Sequence, residues 1–148
     1  MKYLIIGAGA AGAAAAKEIL KNRKEEDQIR IFTDEDYPFY YRPRLIEALS
    51  GEVELEEIII NDQKWFEENN IDLHLNEKIT EIDADNKLIK SEKAQYNYDK
   101  LLLANGSHCF VPSFFGVDLD NIFTLRTAAD LKTINQAAEK AKKAVVVG

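Results

Sequence analysis

The composition of this chain favours a single globular domain and excludes several classes of partner. Its 148 residues are about one domain in length, and a hydrophobic fraction of 46% is enough to bury a core. The formal net charge of −7 argues against a nucleic-acid partner, because phosphate binding needs clustered lysine and arginine. No apolar run approaches the roughly 18 residues of a membrane span, and none resembles a signal sequence. We therefore expect a cytoplasmic protein without a membrane partner.

The cysteine and histidine content limits the metal and redox chemistry. With one cysteine, Cys109, the chain has no internal disulfide and no Cys-x-x-Cys pair. The two histidines, His74 and His108, lack the neighbouring carboxylate or cysteine spacing of a metal site. We expect no metal, and we interpret Cys109 as a buried or semi-exposed structural residue. His74 is predicted to face solvent from a strand.

The first third of the chain predicts a βαβ unit. Residues 3–6 form a continuous apolar run that ends at glycine, as in a strand buried on both faces. An alanine-rich stretch at 10–20 predicts a helix, and residues 29–32 predict the next strand. Pro43 then fits the first turn of a short helix, and Gly51 is expected to end it.

The rest of the chain predicts two more helices and six more strands. Asn61 is expected to cap a helix to residue 68, and Thr127 with Asp130 to cap one that ends near residue 141. The predicted strands are 71–75, 79–83, 87–91, 95–98, 101–104 and 122–125. The strands at 79–83, 87–91 and 95–98 are short, and a turn joins the first of these to the second. This arrangement favours an antiparallel meander. The strand at 101–104 is continuously apolar and predicts a buried parallel strand.

The last five residues, 144–148, repeat the pattern of the first strand, an aliphatic run into glycine. A domain that ended on a bare apolar strand would lack that strand's sheet partners. We therefore expect residues 1–143 to form one domain and residues 144–148 to be the truncated start of a second. On this interpretation the chain is a fragment.

The main functional motif is Gly7-x-Gly9-x-x-Gly12, between the first strand and the first helix. In such a motif the first glycine permits a tight turn, the second lets a diphosphate approach the backbone, and the third lets the helix pack closely. Free amides and the positive end of the helix dipole then face the anion. About 20 residues on, Asp34, or less favourably Glu35, is placed to accept hydrogen bonds from an adenosine ribose. The motif leaves NAD and FAD open, since both contain the same ADP half.

Two further segments resemble FAD-dependent enzymes of the pyridine nucleotide–disulfide oxidoreductase family. Residues 37–45 (YPFYYRPRL) resemble the segment after the family's second strand, and residues 101–107 (LLLANGS) resemble its second flavin-site signature. The resemblance extends over the whole chain and includes the NADH:rubredoxin reductase and nitrite-reductase-type branches. It implies an α/β fold, a Rossmann-like parallel sheet flanked by helices with a small antiparallel β-meander as crossover.

The resemblance also implies which residues hold FAD. The matching positions are Gly7, Gly9, Ala10, Ala11, Gly12, Asp34, Arg42, Ile79, Ala104 and Gly106. Among them, Asp34 matches the ribose-binding acid, Arg42 the basic group beside the diphosphate or flavin edge, and Ile79 the position whose backbone meets the adenine. The chain departs from the family at Asn105, usually threonine, and at Glu47, where ferredoxin-reductase-like relatives often have lysine.

No cysteine stands in the segment where the disulfide and peroxidase branches of the family carry theirs. The resemblance therefore implies that NAD(P)H, bound by a missing domain, reduces FAD, and that electrons pass to an external acceptor such as rubredoxin. No side chain is assigned as a catalyst, and the fragment alone is expected to be inactive. A stand-alone dinucleotide-binding or sensor module and an NAD-only dehydrogenase domain are the alternatives. The sequence leaves the oligomeric state open.

Overall fold

The computed structural model describes residues 1–147, which fall into two compact units. The first unit consists of Met1–Tyr41 and Ile59–Gly106, and the second of Arg42–Ile58 and the residues after Gly106. The strands are β1 Lys2–Ile6, β2 Gln28–Phe32, β3 Ile71–His74, β4 Ile79–Asp83, β5 Leu88–Ser91, β6 Gln95–Asn97 and β7 Lys100–Leu103. The helices are α1 Ala10–Asn22, α2 Leu45–Ser50, α3 Gln63–Glu68 and α4 Ala128–Ala138, with 3₁₀ turns at Arg42–Arg44 and Leu55–Ile58.

A four-stranded parallel sheet in the order β3-β2-β1-β7 forms the centre of the first unit. In register, Ile5 of β1 lies between Ile31 of β2 and Leu102 of β7. Because all four strands run the same way, their carboxyl ends meet at one edge, which is where ligands bind in open α/β sheets. The predicted Rossmann-like sheet is confirmed.

Different elements cover the two faces of this sheet. On one face, Ala16 of α1 and Phe66 of α3 pack against Ile5, Ile29 and Ile31. On the opposite face, buried side chains of the parallel sheet meet an antiparallel sheet in the order β4-β5-β6, through Leu4, Phe32 and Ile89. Successive side chains of a strand point to opposite faces, so a sheet covered on both needs continuous apolar runs. The predicted antiparallel meander is confirmed.

Strand β7 lies at the edge of the parallel sheet and is less buried than its apolar sequence predicts. Leu102 is 40% exposed and Leu103 is 58% exposed. Within residues 1–147, β7 pairs only with β1. The prediction of a buried strand here is therefore wrong, although the strand and its parallel direction are right.

In the second unit, the end of α2 and the start of α4 follow the sequence expectations. Gly51 ends α2 in the left-handed conformation, with φ of 79°. At the start of α4, the Thr127 side chain accepts a hydrogen bond from the Asp130 amide (3.1 Å), and the Asp130 carboxylate accepts one from the Thr127 amide (2.8 Å). This reciprocal capping box was predicted, but α4 ends at Ala138, short of residue 141.

One predicted helix start is wrong. Asp62, not Asn61, caps α3, and its carboxylate accepts a hydrogen bond from the Trp65 amide at 2.9 Å. Asn61 is instead buried, 3% exposed. Both residue types are good N-caps, so composition alone does not distinguish neighbouring positions.

Two predicted strands are absent from the described residues. Residues 122–125 and 144–147 have no strand pairing, and the valines at 145–147 are between 84% and 94% exposed. A strand requires a hydrogen-bonded neighbour, and the described part of the chain supplies none to either segment. Gly148, the predicted end of the last strand, lies outside the described residues.

Candidate functional site

The turn after β1 contains two glycines that the fold itself requires. Gly7 has φ of 109°, and a Cβ there would lie 2.2 Å from the Ala104 carbonyl oxygen. A Cβ on Gly12 would lie 2.0 Å from the Gly7 carbonyl oxygen. Both distances are far inside van der Waals contact, so α1 packs against the turn only because both side chains are missing. The same packing brings Ala104, at the end of β7, directly against the glycine turn.

Gly9 differs from the other two glycines. Its backbone is extended (φ −76°, ψ −167°), which any residue can adopt, and a Cβ there would have no atom within 4 Å. Nothing in the described residues requires glycine at this position. A bare backbone at Gly9 is what a diphosphate needs for close approach.

The first turn of α1 is suited to an anion. Its N-cap residue, Gly9, provides no side-chain hydrogen bond, and the first turn holds no acidic residue. The first amides of a helix have no partner within the helix, and together with the helix dipole they favour negative charge. Ala10, Ala11 and Gly12 supply these amides without side chains that would obstruct them. The residues present therefore fit the diphosphate of a dinucleotide cofactor.

The loop after β2 offers one available carboxylate. Asp34 is exposed and has no hydrogen bond or ion pair within residues 1–147. Its neighbour Glu35 is half-buried, and its carboxylate accepts a hydrogen bond from the Tyr40 hydroxyl. Asp34 follows β2 at the same edge of the sheet as the glycine turn, where the Gly7 amide donates to the Phe32 carbonyl at 2.7 Å. The geometry favours Asp34 over Glu35 as the free acceptor.

The remaining predicted residues lie in different surroundings. Ile79 begins β4, and its side chain packs against the core cluster around Leu4 and Phe32. Gly106 is exposed, with φ of 70°. Arg42 belongs to the second unit, where its guanidinium donates to the Arg126 carbonyl at 2.8 Å. The structure thus brings the glycine turn, Ala104 and Asp34 to one sheet edge.

Two expectations about reactive side chains are wrong. Cys109 is exposed, where a buried or semi-exposed side chain was expected. His74 does not face solvent: its ring stacks on Phe32 with centroids 4.4 Å apart, and its Nδ1 lies 3.0 Å from Glu77 Oε2. The alternation of β3 indicated a solvent face, but the antiparallel sheet covers that face.

Glu77 is a buried polar residue that the sequence did not indicate, since it stands alone in a polar turn. Burial raises the pKa of Glu77, but hydrogen bonds from Ser91, Tyr96 and His74 outweigh this effect and hold the pKa below its usual value. Burial, followed by the hydrogen bond to Glu77, raises the pKa of Tyr96 to about 12. Glu77 is therefore ionised and Tyr96 neutral at physiological pH.

Two further features are absent from the part of the chain that the structure describes. It contains no group of three His, Cys, Asp or Glu side chains arranged to hold a metal ion. None of the helices within residues 1–147 has the length and hydrophobicity needed to cross a bilayer.

Comparison with known proteins identifies the family. Nitrite reductase [NAD(P)H] from Bacillus subtilis (strain 168) is 38% identical over 148 residues, which are 99% of this chain and 18% of that protein. NADH-rubredoxin oxidoreductase from Clostridium acetobutylicum is 35% identical, over 99% of this chain and 38% of that protein. The crystal structure of NADH:rubredoxin oxidoreductase from Clostridium acetobutylicum superimposes with a TM-score of 0.84 at 34% identity, over 94% of this chain and 36% of that one.

The chain thus spans less than two-fifths of the length of these relatives. The sequence similarity nevertheless extends over 99% of this chain. Residues 1–148 match the family described as pyridine nucleotide-disulphide oxidoreductase, whose members are FAD-binding flavoproteins that use NAD(P)H. The chain belongs to the pyridine nucleotide-disulphide oxidoreductase family.

Proposed function

We propose that this chain binds FAD through its ADP half, with the diphosphate on the first turn of α1 and the ribose on Asp34. The observation that carries the proposal is the bare backbone at Gly9, where a Cβ would have no atom of residues 1–147 within 4 Å. Supporting it are the uncapped amides of Ala10, Ala11 and Gly12 and the unpartnered carboxylate of Asp34. Ile79, Ala104 and Gly106 are proposed to complete the site in the first unit, and Arg42 of the second unit is proposed as a cofactor-binding residue in its own right.

The roles of these residues are binding and orientation. The amides of α1 neutralise the diphosphate without a basic side chain, as at other helix N-termini. Asp34 accepts the ribose hydroxyl protons and, through its charge, disfavours a 2′-phosphate at this position. Bound FAD supplies the redox chemistry, the acceptance of hydride from NAD(P)H and the delivery of electrons to an acceptor.

For the whole protein we propose an NAD(P)H-dependent oxidoreductase without a redox-active disulfide. Residues 1–143 are its first FAD-binding segment, and residues 144–148 begin the NAD(P)-binding domain. The acceptor is proposed to be a small redox protein such as rubredoxin. Support comes from the relatives named for NADH and rubredoxin, and from the absence of a cysteine near the aromatic loop at 37–43.

Competition between nucleotides tests the binding proposal. The chain is mixed with excess FAD, separated from free ligand by gel filtration, and examined for the visible absorption of flavin. We expect FAD to remain bound, and we expect ADP to displace it while FMN, which lacks the adenosine half, does not. Failure to retain FAD, or equal displacement by FMN, would overturn the proposal.

The proposal for the whole protein needs the product of the intact gene. We expect that product to continue beyond Gly148, and its flavin absorption to bleach on addition of NADH or NADPH. Rubredoxin added afterwards should be reduced. A flavin-loaded product that neither nicotinamide bleaches would contradict the oxidoreductase proposal and favour a binding or sensor module.

A further inference from the structure

The connection between β3 and β4 holds the loop that carries Asp34. The Thr33 amide donates to the His74 carbonyl at 3.0 Å, and the Glu77 amide donates to the Thr33 carbonyl at 2.8 Å. The Asn76 amide donates to the Glu35 carbonyl at 3.0 Å. The residues on either side of Asp34 are therefore both held by backbone hydrogen bonds to the segment at 74–77.

The side chain of Glu77 fixes the segment at 74–77 through hydrogen bonds to the antiparallel sheet. It is 5% exposed, and its Oε1 accepts hydrogen bonds from Ser91 Oγ at 2.6 Å and from the Tyr96 hydroxyl at 2.7 Å. Its Oε2 lies 3.0 Å from His74 Nδ1. One carboxylate thus links the end of β3 to β5 and β6.

Aromatic packing fixes the groups that donate to Glu77. The rings of His74 and Tyr96 lie 4.4 Å and 4.7 Å from the ring of Phe32, the last residue of β2. The other ring nitrogen of His74, Nε2, is buried and lies 3.1 Å from Asp72 Oδ2, which also pairs with Arg30 at 3.1 Å. A buried carboxylate with its partners held this way has little freedom to move.

We propose that Glu77 is a positioning residue for the ribose of the cofactor: its buried carboxylate, held by Ser91, Tyr96 and His74, fixes through its own backbone the loop that presents Asp34. This inference rests on the proposed FAD function. Glu77 does not touch the ligand, and it acts through Thr33 and Asp34. Glu77→Gln loosens the loop, because it turns charge-assisted hydrogen bonds into weaker neutral ones and places an amide group where Oε2 faced His74 Nδ1.

The test compares ADP with 2′-deoxy-ADP, which lacks one hydroxyl that Asp34 would bind. For the unaltered chain we expect ADP to bind roughly tenfold more tightly, the effect of one hydrogen bond to a charged group. Glu77→Gln should reduce this preference to about twofold or less. Asp34→Asn should remove the preference for ADP over 2′-deoxy-ADP. The double variant Asp34→Asn with Glu77→Gln should show the same ratio as Asp34→Asn alone, because both changes act on one contact.

A merely structural role would weaken both nucleotides equally and leave their ratio unchanged. The control is Glu81→Gln, which removes a carboxylate that is 55% exposed on β4 and should preserve the ratio. Hydrogen exchange gives a second readout: in Glu77→Gln the amides of Asn76 and Glu77 should exchange faster, while those of α1 stay unchanged.

The outcomes separate this inference from the proposed function. If the chain binds FAD and prefers ADP, but folded Glu77→Gln keeps the full preference, the positioning role is wrong and the FAD proposal stands. If the unaltered chain binds neither FAD nor ADP, both are wrong. Should Glu77→Gln fail to fold, Tyr96→Phe removes one of the three hydrogen bonds and should lower the preference about two- to threefold; an unchanged ratio there would also refute the role.

Discussion

Replacing Gly9 with alanine separates what the fold needs from what the cofactor needs. The added Cβ has no atom within 4 Å and the backbone is already extended, so no clash or strain arises. Alanine is a poorer N-cap than glycine by about 0.5–1 kcal/mol, and it restricts the unfolded chain by about 0.4–1 kcal/mol in the opposite direction. The free energy of unfolding should therefore change by less than about 1 kcal/mol, or roughly 2–4 °C in Tm.

FAD binding should respond very differently to the same substitution. The new methyl group occupies the space through which the diphosphate reaches the amides of α1. Loss of one hydrogen bond to a charged group is worth about 1.5–3 kcal/mol, which corresponds to roughly a ten- to hundredfold weaker affinity. Gly9→Ala should thus be a stable protein that has lost most of its affinity for FAD.

Two measurements on three variants decide the matter. Thermal unfolding without ligand gives stability, and fluorescence titration with FAD gives affinity. Gly7→Ala should lose at least about 2 kcal/mol of stability, because its Cβ would meet the Ala104 carbonyl at 2.2 Å in a left-handed backbone. Ala14→Gln, on an exposed position of α1, should change neither quantity. A Gly9→Ala variant that binds FAD as tightly as the unaltered chain would refute the reasoning.

Four further predictions concern the loop after β2, the cap of α4 and the pH dependence of stability. Asp34→Asn should weaken FAD binding roughly tenfold, and Glu35→Gln less than threefold, because the Glu35 carboxylate is engaged by a tyrosine hydroxyl; equal effects in titrations would contradict this assignment. Thr127→Ala should lower the free energy of unfolding of the unit that contains α4 by about 1 kcal/mol, measured by urea denaturation, and Thr127→Ser, which keeps the cap, should not. The pKa of Glu77 is lowered on folding, so the stability that its carboxylate contributes is present above the ordinary pKa of 4.5 and is lost as pH falls through the folded pKa. In urea titrations at a series of pH values, the free energy of unfolding of Glu77→Gln should therefore fall less steeply at acid pH than that of the unaltered chain. The pKa of Tyr96 is raised to about 12, so stability should also fall from pH 10 upward, and Tyr96→Phe should remove that fall.

Local sequence features predict the position of the glycine turn. The spacing of Gly7, Gly9 and Gly12, with a strand before and a helix after, marks the position of the turn in the sequence. The packing of the turn also involves distant residues, because the Gly7 amide donates to the Phe32 carbonyl and a Cβ on Gly7 would meet the Ala104 carbonyl. The capping box at Thr127 is local, since it consists of hydrogen bonds within a few residues.

Features that depend on which elements become neighbours are less accessible from sequence. His74 alternates like a surface residue, and only the antiparallel sheet over that face buries it. Glu77 resembles any acid in a turn until β5 and β6 bring Ser91 and Tyr96 to it. The apolar segments at 122–125 and 144–147 have strand propensity but no neighbour to pair with in the described chain.

The central claim is that the amides of the first turn of α1 bind the diphosphate of FAD. Nuclear magnetic resonance of the ¹⁵N-labelled chain during titration with FAD tests it directly. We predict that the amide signals of Ala10, Ala11 and Gly12 shift saturably, with the same dissociation constant as the flavin signal, and that ADP alone reproduces their shifts. Saturable FAD binding that leaves these three amides unmoved would contradict the claim.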